Sequence, residues 1–272
     1  MKKLLTLTLI VLTSLLTNAQ AAEGTPHLRM ATTTSTDNSG LLRVLNPAFE
    51  RENGIKVDVI AVGTGKALRL GANGDVDIVF VHAPPAEEKF MAAGNGVDRR
   101  AVMHNDFVIV GPPADPAGLR TTRDAVAALT RLASSGQTFI SRGDDSGTDK
   151  KEHHLWQAAG IKPQGPWYLS VGQGMGAVLA IANDKLAYTL TDRGTYISMR
   201  SKLALRIVSE GDPRLFNPYH IIAVNPGKYP DIQYRLARRY IDFVTGSEGQ
   251  RLIGDYRLLG QQLFTPDVIP AP

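Results

Sequence analysis

The stretch Ser141-Arg142-Gly143-Asp144-Asp145-Ser146-Gly147-Thr148-Asp149 sets an arginine, hydroxyls and glycines between an apolar run, Thr138 to Ile140, and a helical pattern over 150–159. A strand ends there and a helix begins. A helix N-terminus carries unpaired backbone N–H groups and the positive end of its dipole. With Ser146, Thr148 and the guanidinium of Arg142 added, the segment reads as a cradle for a small anion. A second hydroxyl-rich junction of the same kind, Thr32-Thr33-Thr34-Ser35-Thr36, lies near the start of the chain. The pair suggests one anion held from two sides.

Further turns of matching character are Gly63-Thr64-Gly65, His82-Ala83-Pro84, Gly172 to Gly176 and Thr191-Asp192-Arg193-Gly194. Neutral donors on opposed helix N-termini can surround a tetrahedral oxyanion without a metal. Each hydrogen bond to a charged group is worth roughly 1.5–3 kcal/mol, so a handful offsets the desolvation of a dianion. Other chemistries fit less well. Gly63-Thr64-Gly65-Lys66 lacks phosphate-loop spacing, because Ile60 and Ala67 hold the decisive positions. His153 and His154 are adjacent on a helix and point apart, with no third ligand at metal spacing. A hydrolase built on Ser146 and His153 with Asp149 is the competing reading from another class. It lacks the Gly-x-Ser-x-Gly elbow around Ser146.

These turns must be positioned by alternating strands and helices. Strands are expected at Leu28 to Ala31, Val57 to Val62, Val76 to Val81 and Phe107 to Val110, with helices between them. Leu41, Leu42, Leu45 and Phe49 form one helical stripe, capped by Asn38 or Ser39. A second alternation runs from Thr122 to Val208, Tyr219 to Val224 returns, and two amphipathic helices close the chain. The pattern predicts an α/β protein of two doubly wound α/β lobes joined by two crossover segments. Lobe I takes 23–108 plus 220–272, lobe II takes 109–219, and the anion site lies in the cleft outside the strands' carboxyl ends.

The first residues stand apart from that core. Lys2 and Lys3, the apolar run Leu4 to Leu16 and the exit Ala19-Gln20-Ala21-Ala22 make the tripartite pattern of a cleaved signal peptide over 1–22, which predicts a periplasmic protein. The run is about 13 residues, short of the roughly 20 that span a bilayer. The 272-residue chain is 43% apolar and has no cysteine, so packing alone must stabilise it. Its net charge of +4 falls to about +2 without Lys2 and Lys3, which argues against a nucleic-acid partner.

Taken together, Thr32 to Thr36, Ser39-Gly40-Leu41-Leu42, Val62 to Leu68, Val81-His82-Ala83-Pro84, Ser141 to Thr148 and Tyr188 to Thr195 resemble the periplasmic tungstate-binding proteins of tungstate ABC transporters, the TupA type. The ending Tyr240-Ile241-Asp242-Phe243 with Ser247-Glu248-Gly249-Gln250 is similar to that of type II solute-binding proteins. The resemblance implies a protein that closes over tungstate and delivers it to an ABC permease and, through it, an ATPase. It implies a monomer that needs no cofactor and holds no metal cation. The Arg142 to Thr148 spacing is also similar to that of phosphate-binding proteins, where an aspartate accepts a proton from the ligand. Here the comparable turn reads Val81-His82-Ala83, which favours tungstate, molybdate or sulfate over phosphate. Molybdate or another oxyanion is the alternative ligand, and a sensor subunit would share the fold. Expected donors to the anion are Thr33, Ser35, Thr64, Ser146 and Thr148. Arg142 is the counter-charge and Arg193 a second or orienting contact, while Gly65, Gly147 and Gly174 allow backbone N–H groups close approach.

Overall fold

A computed structural model describes residues 24–144 and 146–268. The signal-peptide stretch and Asp145 lie outside the described residues. β1 (His27–Thr33) leads into α1 (Thr34–Asn38) and α2 (Leu42–Asn53), β2 (Lys56–Val62) into α3 (Thr64–Asn73), and β3 (Ile78–Val81) into α4 (Pro84–Ala92). One long strand, β4 (Gly96–Gly111), follows. Then come α5 (Ala125–Ser135), β5 (Phe139–Ser141), α6 (Gly147–Ala158), β6 (Tyr168–Ser170) and α7 (Met175–Asp184). β7 (Thr189–Asp192), α8 (Arg193–Met199) and β8 (Arg206–Ser209) complete this part, and β9 (Phe216–Val224) returns. α9 (Tyr234–Thr245), α10 (Ser247–Asp255) and three short strands, β10 (Arg257–Leu258), β11 (Gln261–Gln262) and β12 (Thr265–Pro266), end the chain.

The apolar spacing explains the helices. In α9, Ala237, Tyr240, Ile241 and Val244 fall on one face and are all buried. In α2, Leu42, Leu45 and Phe49 do the same. All four residues of β3 are buried, as a central strand requires.

The strand order is β12-β4-β9-β3-β1-β2. β1 runs parallel to β2 and β3, and β9 is inserted antiparallel between β3 and β4. β4 pairs with β9 as far as Asp106↔Phe216 and with β7 from Phe107↔Asp192 onward, so one strand serves two sheets. β8 also joins β4, while β5 and β6 pair in parallel. Helices cover both faces. Leu28, Phe49, Phe80 and Tyr240 share one core cluster, with Ala67, Val79 and Phe90 on the opposite side of the same sheet. Leu129, Trp156 and Tyr188 form a third cluster, and Val108, Ile140 and Leu179 a fourth.

The structure adds what the pattern did not show. β4 begins at Gly96 rather than Phe107. Its register shifts between Val97 and Arg100 and between Ala101 and Met103, which breaks the apolar alternation by which strands are read. Among the described residues, no helix is long and apolar enough to cross a membrane.

Candidate anion-binding site

The first jaw forms where β1 meets α1. Thr33 ends the strand in extended backbone, and its hydroxyl accepts from Thr36 N at 3.1 Å as the N-cap. Thr33 caps α1; α2, expected to be capped by Asn38 or Ser39, has Leu41 at its N-cap with no side-chain cap bond, while Ser39 Oγ accepts from Leu41 N at 3.3 Å and donates to Thr36 O at 2.6 Å. Thr33 Oγ1 also lies 2.6 Å from Thr36 Oγ1, 3.0 Å from Ser35 Oγ and 3.2 Å from His82 Nε2. Thr33 is buried and Ser35 exposed, so this hydroxyl cluster runs from the core to the surface. Thr32 is spent on structure, donating to Phe80 O at 2.7 Å.

His82 follows β3 and joins the same cluster, with Nε2 3.2 Å from Ser35 Oγ. Its turn is braced from below. Glu87 is fully buried; it accepts from Ala83 N at 2.7 Å and from Arg99 at 2.8 and 3.0 Å, and lies 2.9 Å from His220 Nδ1. Burial works against its charge, yet the hydrogen bonds from His220 and Arg99 hold its carboxyl below the usual range. On the other side of β1, Thr64 and Gly65 open α3 after Gly63, the cap. Their N–H groups belong to the first turn, which has no partner within the helix.

The second jaw is the loop between β5 and α6. Ser146 caps α6, its hydroxyl accepting from Asp149 N at 3.3 Å. Arg142 donates through Nε to Asp144 at 2.8 Å, and its Nη1 lies 3.4 Å from Thr148 Oγ1. Asp144 also accepts from Ser146 N at 3.2 Å, and Asp149 accepts from Gly143 N at 2.8 Å. Burial opposes the charge of Asp144, but hydrogen bonds from Ser146 and Arg142 keep its carboxyl below the ordinary range. The loop's own carboxylates thus engage some of the donors that an anion would use. Gly143 is required here: its φ is +61°, and a Cβ would meet Ser170 Oγ at 1.9 Å. At Gly147 and Gly174 a Cβ would meet nothing within 4 Å, so both backbones face open space.

Arg193 stands differently. It starts α8 and donates to Asp106 at 2.6 and 2.7 Å and to Glu210 at 2.6 Å. These carboxylates raise its already high pKa and compensate its charge, and they tie α8 to β4 where that strand passes from one sheet to the other. The structure therefore groups Thr33 and Ser35 in one cluster and Arg142, Ser146, Gly147 and Thr148 in another, with Arg193 pinned to β4.

Ser146 and His153 do not form a catalytic pair. Seven helical residues separate them by about 10 Å along the axis. His153 Nδ1 turns to Asp149 O at 2.8 Å, within its own helix. Sequence reasoning missed Asn217, which accepts from the His82 ring at 3.1 Å across 135 residues of chain. No local motif marks such a contact.

Two α/β halves sharing a strand, with donor-rich turns beyond their strand ends, are the hallmark of a ligand-closing binding protein. The chain belongs to the PBP superfamily, whose domain profile matches residues 18–248. It is similar to the tungstate-binding protein TupA of Peptoclostridium acidaminophilum, 48% identical over 88% of this chain and 85% of that protein. Among solved structures it is similar to the tungstate-binding protein TupA from Desulfovibrio alaskensis G20, with 47% identity, a TM-score of 0.86, and coverage of 90% of this chain and 100% of the other. The tungstate ABC transporter structure from Geobacter sulfurreducens is 58% identical with a TM-score of 0.74, covering 85% of this chain and 98% of that one.

Proposed function

We propose that this protein captures tungstate in the periplasm and hands it to the permease of an ABC importer, and through it to the ATPase. The observation that carries the reading is the Arg142 to Thr148 turn, where a guanidinium, two hydroxyls and a helix N-terminus converge within one loop. In this reading Thr33, Ser35, Thr64, Ser146 and Thr148 donate to the oxyanion. Gly65 and Gly147 offer backbone N–H groups, and Arg142 supplies the counter-charge by leaving Asp144. Arg193 takes the orienting part, holding α8 against β4. The protein works as a monomer, needs no cofactor and carries out no turnover, its Ser146 being used as a helix cap.

Calorimetric titration with tungstate, molybdate, sulfate and phosphate tests this. The expected result is saturable tungstate binding, with molybdate competing more weakly and phosphate not at all. At a hundredfold excess over Kd, tungstate should stabilise the fold by about 2.7 kcal/mol, read as a rise in Tm. Equal binding of molybdate would replace tungstate by a general oxyanion, and hydrolysis of a phosphate ester would replace binding by catalysis.

A further inference from the structure

His82 is the one titratable ring in the first jaw, and its two nitrogens face different partners. Nδ1 lies 3.1 Å from Asn217 Oδ1. Asn217 spends its amide nitrogen on Asn105 Oδ1 at 2.8 Å, which turns its oxygen toward the histidine. The hydrogen therefore sits on Nδ1, and in the neutral ring Nε2 is a lone pair. The ring is held in plane by stacking on Tyr219, centroids 4.5 Å apart.

That lone pair points at Thr33 Oγ1 and Ser35 Oγ, both 3.2 Å away. A hydroxyl has one proton. Whichever of the two gives it to Nε2 has none left for an anion, so the neutral ring draws on the donors that the jaw needs.

We infer that anion capture protonates His82 at Nε2, making it a proton-linked positioning residue. The proton comes from solvent. The imidazolium then donates to a hydroxyl oxygen, the Thr33 and Ser35 protons both turn to the anion, and one charge of the dianion is balanced. The inference rests on the oxyanion reading above and adds its proton linkage.

The surroundings agree. From β1 and α1 only the uncharged Thr33 and Ser35 reach the ring. From β9 come Asn217 and Tyr219, whose phenol burial keeps protonated. The carboxylates acting on it are Glu87 of α4, itself bound by Arg99 and His220, and Asp192 at the end of β7, which caps α8. Burial lowers the His82 pKa, against the pull of Asn217, Glu87 and Asp192, so the free ring is biased to the neutral form. A dianion entering beside it shifts the balance the other way. Affinity should then rise as pH falls between the free and bound pKa values, by up to about tenfold per pH unit.

Titration of the full protein with sodium tungstate near pH 7, in buffers of different ionisation enthalpy, counts the protons taken up. The expected result is uptake approaching one proton per anion for the wild type and none for His82→Gln, with tungstate still bound. Nitrogen-15 spectra of histidine-labelled wild type, which need no variant, should show the Nδ1–H form in the free protein and imidazolium at saturation. Binding without proton uptake, uptake that persists in His82→Gln, or a ring that stays neutral at saturation would each overturn the inference while leaving the binding reading intact. Absence of any binding heat in the wild type would sink the oxyanion reading and this inference with it.

Discussion

The two jaws use opposite means to the same end. The β1–α1 jaw is neutral: Thr33, Thr36, Ser35 and His82 bond to one another, and the ring is anchored to β9 through Asn217. The β5–α6 jaw is charged, and its donors are held by its own aspartates, Asp144 and Asp149. A neutral cluster can stay fixed without a ligand because its polar atoms satisfy each other. A guanidinium cannot be left unpaired at low cost, and in the second jaw Asp144 supplies the carboxylate that, in the proposed reading, an anion replaces. In that reading one jaw keeps its groups in place and only redirects protons, whereas the other exchanges a charged partner.

The contrast breaks first at Arg142. Arg142→Ala should weaken tungstate binding about a thousandfold, from the loss of two charge-assisted hydrogen bonds at roughly 2 kcal/mol each. Calorimetry reads this directly, and unchanged affinity would remove Arg142 from the site.

The carboxyls behind the jaws give the next largest effect. Glu87 is paired and its pKa is lowered, so its stabilisation is present above the unfolded carboxylate pKa and lost as pH falls through the folded value. Glu152, on the buried face of α6, accepts from Tyr168 at 2.8 Å and Trp156 at 3.1 Å, and burial raises its pKa. Its contribution is present below the unfolded pKa and lost as pH rises. Glu87→Gln should cost about 3 kcal/mol at neutral pH, the low end for breaking a buried pair, since Arg99 keeps about a quarter of its side chain in water. That deficit should shrink on acidification, whereas Glu152→Gln should gain stability relative to the wild type as pH rises. Urea denaturation across pH would show parallel slopes if the two carboxyls were equivalent.

Gly143→Ala should destabilise by about 2 kcal/mol and blunt tungstate affinity, because the left-handed backbone and the Ser170 hydroxyl leave no room for a methyl group. Thr33→Val and Ser146→Ala both remove an N-cap, typically worth about 1 kcal/mol. The Thr33 change should cost more, since its oxygen also joins Ser35, Thr36 and His82. Equal losses of Tm would argue against the neutral cluster as a fixed unit. The smallest effect is expected from Asp144→Asn, a few-fold gain in tungstate affinity as the competing charge on Arg142 is removed.

Much of this was legible before the structure. The turn at Ser146 announces itself through a hydroxyl cap, a glycine and an arginine in one short segment, and the apolar stripes of α2 and α9 are plain. The first half of β4 was not, because Asp98, Arg99, Arg100 and His104 interrupt it and its register shifts hide the alternation. The links from His82 to Asn217 and from Arg193 to Asp106 join residues 135 and 87 positions apart. Local pattern carries no trace of such pairs, since they exist only once the strands are in register. Arg142 with Asp144 was within reach, two residues apart, but a sequence shows a cluster of charges without showing which of them are already matched.

The shared strand also sets an order of assembly. Asn105 in β4 bonds Asn217 in β9 across 112 residues, and β9 separates β4 from β3 in the sheet. A chain ending before Phe216 lacks that strand, so the central sheet cannot close however complete the helices are. Long loops must be drawn shut before this pairing is rewarded, which makes the step slow and places it late. The nascent chain therefore commits to its final shape only when nearly all of it is available.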